Sequence, residues 1–156
     1  MHQPHYGVTP TDVMKSMSGL DFLLRIADGR LPRPPISQTL DFALVAVEQG
    51  SATFEGLPGP LHYNPIGSVH GGYAATLLDS CMACAVQSTL ARGFGYTTLE
   101  FKISLVRGMT GDTGKVKAVG TVLTSGRRIA TAEGRLLDAQ GRLLATGTTT
   151  CLVLEL

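Results

Sequence analysis

The stretch NPIGSVHGGYAATLLD, from Asn64 to Asp79, decides the fold because its composition changes part-way along. Its first half contains a proline and ends in a histidine and two adjacent glycines. Its second half is rich in Ala and Leu, and the run continues without Pro or Gly as far as Arg92. Alanine and leucine favour a helix, whereas proline and paired glycines interrupt one. The pattern predicts a turn followed by a long helix that starts near Gly71, and its apolar character predicts burial on most faces.

The adjacent glycines, Gly71 and Gly72, stand where the predicted helix begins. The first turn of a helix has unpaired backbone N–H groups and a partial positive charge. Because glycine lacks a side chain, a ligand oxygen can approach those N–H groups closely. This arrangement is typical of an oxyanion site. A tight strand-to-helix turn without a chemical role is the alternative that the residues leave open.

Asp79 is the single acid on this apolar helix. An ionised carboxylate that is buried without a partner costs several kcal/mol, so Asp79 is either a structural hydrogen-bond acceptor or a functional base. Burial raises the pKa of such a group, which suits a base. Gly71 and Asp79 are eight residues apart, which is about 12 Å along a helix. If both serve one reaction, they therefore come from two subunits of a homodimer.

The remaining segments predict an α+β domain in which an antiparallel sheet wraps around the long helix. The RLPRPP segment interrupts the chain after an amphipathic segment, and alternation of apolar and polar residues predicts three or four strands after Gly93. The predicted elements are a helix over residues 9–29, a hairpin over Leu40–Phe54 that turns at Gln49-Gly50, the long helix, and strands that turn at Thr124–Gly126 and at Asp138–Gly141.

Composition narrows the class of protein. A chain of 156 residues with 44% hydrophobic content suits one domain with a core. A formal net charge of +1 favours neither nucleic acid nor a membrane surface as a partner. No run is long and apolar enough to span a bilayer, and MHQPHYGVTP lacks the pattern of a signal peptide, so we predict a cytoplasmic protein. The spacing of Cys81 and Cys84 inside the helix favours core packing over metal or redox chemistry, and no metal site is predicted.

A family resemblance rests on Asn64, Pro65, Gly67, the His70–Gly72 triplet and Asp79, together with TTLEFKISLVRG and SGRRIATAEGRLLDAQGRLLATGTTTCLV. This pattern closely resembles hotdog-fold acyl-CoA thioesterases of the phenylacetate-pathway (PaaI-like) and 4-hydroxybenzoyl-CoA thioesterase types. The resemblance covers roughly residues 35–154. It implies a hotdog domain over residues 35–156, preceded by an N-terminal helix and Pro-rich linker over residues 1–34.

The resemblance implies an enzyme that hydrolyses a small to medium acyl-CoA or aryl-CoA thioester to a free acid and CoA. CoA is then part of the substrate, and no separate cofactor is implied. The amide of Gly71 would polarise the thioester carbonyl, and the side-chain amide of Asn64 would orient the carbonyl or water. Asp79 of the neighbouring subunit would act as nucleophile or general base. The implied assembly is a homodimer, or a tetramer formed as a dimer of dimers.

Two further positions follow from the same resemblance. A hydroxyl residue that assists the water of the acid falls at Thr98, or at Thr97 if the alignment shifts by one residue. One branch of the family has a threonine one turn after the acid, whereas this chain has Ala83 there and departs from that branch. His70 belongs to the predicted catalytic set, where orienting the loop or hydrogen-bonding near the thioester is favoured over proton transfer.

The predicted substrate-binding and CoA-binding set is Gly72, Arg107, Arg127 and Arg128. The resemblance places the pantetheine arm along the strand near the GRR segment and the phosphates near basic residues at the dimer surface. The guanidinium fork of arginine matches phosphate oxygens. Ordinary surface charge at strand ends is the alternative for all three arginines.

Two other functions remain open. A hotdog acyl-CoA dehydratase or hydratase pairs its histidine and aspartate at a shorter spacing, and the acid nine residues after His70 argues against it. A non-catalytic acyl-CoA-binding protein would keep Gly71 and the arginines but would not need an ionised Asp79. Release of free thiol from acyl-CoA distinguishes the enzyme from this binding protein.

Overall fold

A computed structural model describes residues 4–156 and shows one long helix against a six-stranded antiparallel sheet. The helices are α1 (Thr11–Lys15), α2 (Gly19–Ala27), α3 (Pro35–Thr39) and α4 (Gly71–Gln87), and the strands are β1 (Phe42–Glu48), β2 (Ser51–Gly56), β3 (Phe94–Leu105), β4 (Val116–Ser125), β5 (Ile129–Asp138) and β6 (Leu143–Glu155). Two short 3₁₀ turns, Pro60–His62 and Gly111–Thr113, lie in the loops. The predicted hotdog architecture is confirmed.

The strand order in the sheet is β1-β2-β4-β5-β6-β3, and every neighbouring pair is antiparallel. The predicted hairpin of β1 and β2 is confirmed, with Gly50 at φ 85° in its turn. The region after Gly93 forms four strands, of which β4, β5 and β6 are joined by the predicted turns. β3 does not lie beside β4. It crosses to the far end of the sheet and pairs with β6, so that β3 forms one edge.

The sheet curves closely around α4. Side chains of α4 that are completely buried form the centre of the core, as the sequence predicts for this helix. Gly120 on β4 permits the close approach, because the backbone of Cys81 and Met82 occupies the space that a side chain would need. Cys81 is fully buried in this core, which confirms its predicted packing role.

The end of α4 lies earlier than the apolar run suggests. The hydroxyl groups of Ser88 and Thr89 donate to the carbonyls of Ala85 and Val86, at 2.6 Å and 2.8 Å. Such side-chain bonds compete with helix continuation, and the helix ends at Gln87. Within residues 4–156, no helix combines the length and the apolar character needed to cross a membrane.

The prediction of one continuous helix over residues 9–29 is wrong, because the segment forms α1 and α2 with a break between them. Ser18 caps α2 by accepting a hydrogen bond from the Asp21 N–H at 3.1 Å. The Gly19 N–H donates to the Leu90 carbonyl at 3.0 Å, which fixes α2 beside the end of α4. This tertiary contact and the cap outweigh the helical periodicity.

α2 ends at Ala27, just before Gly29 at φ 82°, and the Pro-rich stretch that follows begins α3, with Pro35 in the first helical position, where a missing N–H has no cost. The boundary between residues 34 and 35 as a domain division stays a prediction. Residues 1–3 of the predicted N-terminal segment lie outside the described residues.

Candidate active site

Asp79 of α4 and Thr98 of β3 form the first of two groups of predicted catalytic residues. The Thr98 hydroxyl donates to the Asp79 carboxylate, with 3.0 Å between Oγ1 and Oδ1. Successive residues of a strand point to opposite faces, so Thr98 faces α4 while Thr97 is exposed. Of the two threonines that the sequence leaves open, Thr98 is therefore the one that contacts the acid.

The surroundings of Asp79 are largely apolar. The carboxylate is half-buried, and no cation within residues 4–156 forms an ion pair with it. Burial raises the pKa of Asp79, and the hydrogen bond from Thr98 partly offsets that rise. A carboxylate with a raised pKa is a stronger proton acceptor than an exposed one. Burial also raises the pKa of the neighbouring Cys84 thiol to about 12, so this thiol stays protonated at neutral pH.

His70 organises the turn at the start of α4. Its Nδ1 accepts the Gly72 N–H at 2.8 Å, and its carbonyl accepts the Tyr73 N–H at 2.9 Å. An Nδ1 that accepts a hydrogen bond leaves the ring proton of a neutral imidazole on Nε2. This geometry supports the orienting role of His70 and shows that the amide of Gly72 is already engaged.

The amide of Gly71 differs from the amides of the two residues that follow it, Gly72 and Tyr73. It donates to no group in the part of the chain that the structure describes, whereas the next two amides are bonded to His70. Leu105 packs against the glycine, because a β-carbon at Gly71 would lie 2.8 Å from the Leu105 Cδ1. The half-buried turn thus presents one free backbone donor at the positive end of α4.

Asn64 builds the loop that precedes this turn. Its Oδ1 accepts the N–H groups of Ile66 and Ser68, each at 3.1 Å, and its Nδ2 donates to the Ser68 hydroxyl at 3.0 Å. One N–H of the side-chain amide remains for a ligand. The sequence interpretation missed this loop-building role and the part of Ser68 in it, although an Asn followed by Pro and Gly is a known turn signature.

The two groups of predicted catalytic residues do not meet within one chain. Asn64, His70 and Gly71 lie at the start of α4, and Asp79 with Thr98 lies about 12 Å further along the helix. This separation agrees with the spacing argument from the sequence.

The three predicted arginines are also dispersed. Arg107 follows β3 at the end near Gly71. Arg127 and Arg128 lie in the β4–β5 turn, close to the other end of α4, where Ser125 and Thr89 are hydrogen-bonded at 2.9 Å. All three are exposed, and none forms an ion pair within residues 4–156.

The sequence profile of the thioesterase superfamily matches residues 66–145, which include the turn, α4 and most of the sheet. The chain belongs to this superfamily. A search of the curated proteins found no match.

Solved structures with the same fold include two proteins linked by name to phenylacetic acid degradation. A degradation-related protein from Ralstonia eutropha is 29% identical with a TM-score of 0.76, over 84% of this chain and 98% of that chain. A variant of the PaaI protein from Thermus thermophilus is 26% identical with a TM-score of 0.68, over 76% and 97%. A Streptococcus mutans protein bound to acetyl CoA is 24% identical with a TM-score of 0.66, over 73% and 89%, and at this identity the likeness concerns the fold.

Proposed function

We propose that this thioesterase-superfamily protein hydrolyses an acyl-CoA or aryl-CoA thioester to a free acid and CoA, at two equivalent sites of a homodimer. The observation that carries the proposal is the combination of a half-buried acid with a raised pKa and a free backbone amide at the start of the same helix. The S. mutans neighbour bound to acetyl CoA supports an acyl-CoA ligand.

In the proposed reaction, the Gly71 N–H donates to the thioester carbonyl oxygen and stabilises the negative charge that develops there. Asp79 of the other subunit either takes a proton from the attacking water or attacks the carbonyl carbon itself. The Thr98 hydroxyl holds one carboxylate oxygen and leaves the other free for this step. The carbon–sulfur bond then breaks, and the CoA thiolate takes up a proton. On the route in which Asp79 attacks the carbonyl carbon, water then hydrolyses the acyl–Asp79 anhydride, which releases the free acid and restores the carboxylate.

The edge strand β3 supports the dimer. Its outer edge has no partner strand within the described chain, and three of its large apolar side chains are exposed: Leu99 by 55%, Phe101 by 42% and Leu105 by 59%. A long apolar edge of this kind is covered when a second copy pairs with it. The bulge between Thr98 and Glu100 leaves Thr98 and Leu105 each three rungs away from Lys102. A two-fold antiparallel β3 pair centred on Lys102 therefore places Thr98 opposite Leu105 of the other copy. Because Thr98 contacts Asp79 and Leu105 contacts Gly71, this pairing brings the two halves of the site together.

The arginines fit the other part of the substrate. Arg107 lies at the same end of α4 as the free amide, and Arg127 and Arg128 lie on an exposed turn. We assign these unpaired guanidinium groups to the phosphates and pantetheine arm of CoA, since a guanidinium forms paired hydrogen bonds with phosphate oxygens.

Purified heterodimers test the two-subunit site. Chains with Gly71→Pro and with Asp79→Asn, carrying different affinity tags, are co-expressed and isolated as the mixed dimer. One site then has both groups intact and the other has neither, so we expect about half the thiol release of the wild-type dimer by symmetry. Each homodimer is expected to be nearly inactive.

The reciprocal control pairs a wild-type chain with a chain that carries both substitutions. Each shared site then lacks one group, and we expect this dimer to be nearly inactive. If the site lay within one chain, the two results would exchange: the first mixed dimer would be inactive and the second would retain half the activity. That outcome would overturn the two-subunit site. A wild-type dimer that releases no thiol from any acyl-CoA would overturn the proposed function.

Thr98→Val tests the hydrogen bond to Asp79. The bond lowers the pKa of the carboxyl, so its removal raises that pKa further. Because the reaction uses the ionised carboxylate, activity falls as pH decreases through this pKa, and the acidic limb of the kcat/KM profile is expected at higher pH in Thr98→Val. Thr97→Val is the matched control, since the exposed Thr97 does not contact the acid. Identical acidic limbs in wild type and Thr98→Val would contradict this role.

A further inference from the structure

We propose that the N-terminal segment, residues 7–35, forms one wall of the acyl-binding cavity and determines which acyl groups the site accepts. The inference rests on the proposed function and adds the substrate class. A cavity of about 640 Å³ lies between this segment, the C-terminal half of α4 and the start of β3. Met14 of α1 and Phe22 and Ile26 of α2 line one side, and Cys84 and Tyr96 line the other.

The cavity reaches the residue that contacts the acid. Thr98 lines the cavity and donates to the Asp79 carboxylate at 3.0 Å, so the cavity lies next to the acid of the proposed reaction. Cys84, on the opposite wall from α1, lies only five residues after Asp79 on α4. In the proposed dimer, the free amide and Arg107 that complete this site come from the other subunit. An acyl group that extends from the reacting carbon into the cavity would leave the CoA portion outside the cavity.

The lining selects an apolar acyl group without charge. The side chains that line the cavity are aliphatic, aromatic, proline, thiol, hydroxyl or amide groups, and none carries a formal charge. A carboxylate at the end of an acyl chain would lose its hydration there without gaining a cationic partner. The volume lies within the range of about 300–1,000 Å³ that is typical of small-molecule sites. The inferred substrates are thioesters of medium aliphatic or aryl acids.

The wall is fixed to the body of the domain. Leu23 of α2 is 3% exposed in the core, and Gly19 packs directly against the backbone of Gln87 at the end of α4. The residues before α1 form hydrogen bonds with the Pro-rich stretch, and the Gly7 N–H donates to the Arg33 carbonyl at 2.9 Å. This segment lies outside residues 66–145, which the superfamily profile matches.

The first test measures kcat/KM for a series of straight-chain acyl-CoA substrates. In the wild type we expect a rise of about fourfold per added methylene until the cavity is full, because each methylene leaves water. Met14→Trp reduces the space, so its loss of kcat/KM grows with acyl length. Ile26→Ala enlarges the space and moves the optimum to longer chains. Leu24→Trp is the matched control: Leu24 lies on α2 outside the cavity and is 40% exposed, so we expect a wild-type profile.

The second test separates this inference from the proposed reaction. Binding of S-octyl-CoA and S-ethyl-CoA thioethers, which have no carbonyl to hydrolyse, is measured by calorimetry for the same variants. Tighter binding of S-octyl-CoA by the wild type, reduced in Met14→Trp but not in Leu24→Trp, supports the cavity even if no thioester is hydrolysed. Thiol release with the same acyl-length profile in wild type, Met14→Trp and Ile26→Ala would overturn the inference and leave the thioesterase reaction standing.

Discussion

Asp79→Asn is expected to lower thiol release by about a hundredfold or more while the protein becomes more stable at neutral pH. Asparagine keeps the size of the side chain and still accepts the Thr98 hydroxyl, but it neither takes a proton nor attacks a carbonyl. The kcat/KM for an acyl-CoA substrate and the thermal midpoint measure the two effects. Wild-type turnover in a folded Asp79→Asn dimer would exclude a catalytic role for the acid.

The stability gain follows from the sign of the pKa change. Burial raises the pKa of Asp79 in the folded chain, so the unfolded chain ionises at lower pH. The free energy of unfolding therefore decreases as pH rises from the usual carboxylate pKa to the raised pKa of Asp79. Above the raised pKa, the folded chain bears the whole free-energy cost of burying the ionised carboxylate. Asparagine removes this penalty, because it carries no charge at any of these pH values. A lower thermal midpoint in Asp79→Asn at neutral pH would contradict this interpretation.

Asp138→Asn is the matched control. Asp138 is also buried, and burial by itself raises its pKa, but hydrogen bonds from the Arg142 backbone and guanidinium outweigh that effect and lower it. A lowered pKa contributes stability above the unfolded pKa that is lost as pH falls through the folded one. Asp138→Asn is therefore expected to destabilise the protein at neutral pH and to leave kcat/KM unchanged, the reverse of Asp79→Asn.

Gly71→Pro is expected to lower kcat/KM by about two to three orders of magnitude, the usual cost of losing one oxyanion donor. Proline removes the free N–H and fits the first position of a helix. The preceding His70 already has φ −60° and ψ 137°, the extended conformation that residues before proline adopt. Thiol-release kinetics and the thermal midpoint of the variant measure the effect and the integrity of the fold.

Gly71→Ala provides the comparison for the missing amide. Alanine keeps the N–H, and its β-carbon crowds the same Leu105 side chain as the β-carbon of proline does, so the two variants differ chiefly in the amide. We expect Gly71→Ala to retain far more activity than Gly71→Pro. Binding of S-alkyl-CoA thioethers should be similar in both variants, because these ligands have no carbonyl oxygen for the amide. Equal losses of kcat/KM in the two variants would mean that the amide does not contact the reacting carbonyl.

The sequence by itself determined the main elements of this protein. Alanine and leucine without proline or glycine specified the buried helix α4, the two glycines specified where it begins, and alternating apolar residues specified the strands and their turns. These signals are local, since propensity and periodicity act over a few residues. The same local pattern identified Gly71 and Asp79 as the residues with unusual chemistry and gave their separation along the helix.

The tertiary structure alone decided which residues meet. Periodicity predicted a single helix over residues 9–29, but the contact of Gly19 with the end of α4 divides it. The position of β3 at the edge of the sheet, the choice of Thr98 over Thr97 as the partner of Asp79, and the cavity closed by α1 and α2 likewise depend on segments far apart in the chain. The physical reason is that a periodic pattern fixes the face that a residue occupies, whereas the group opposite that face is set by packing of the whole core.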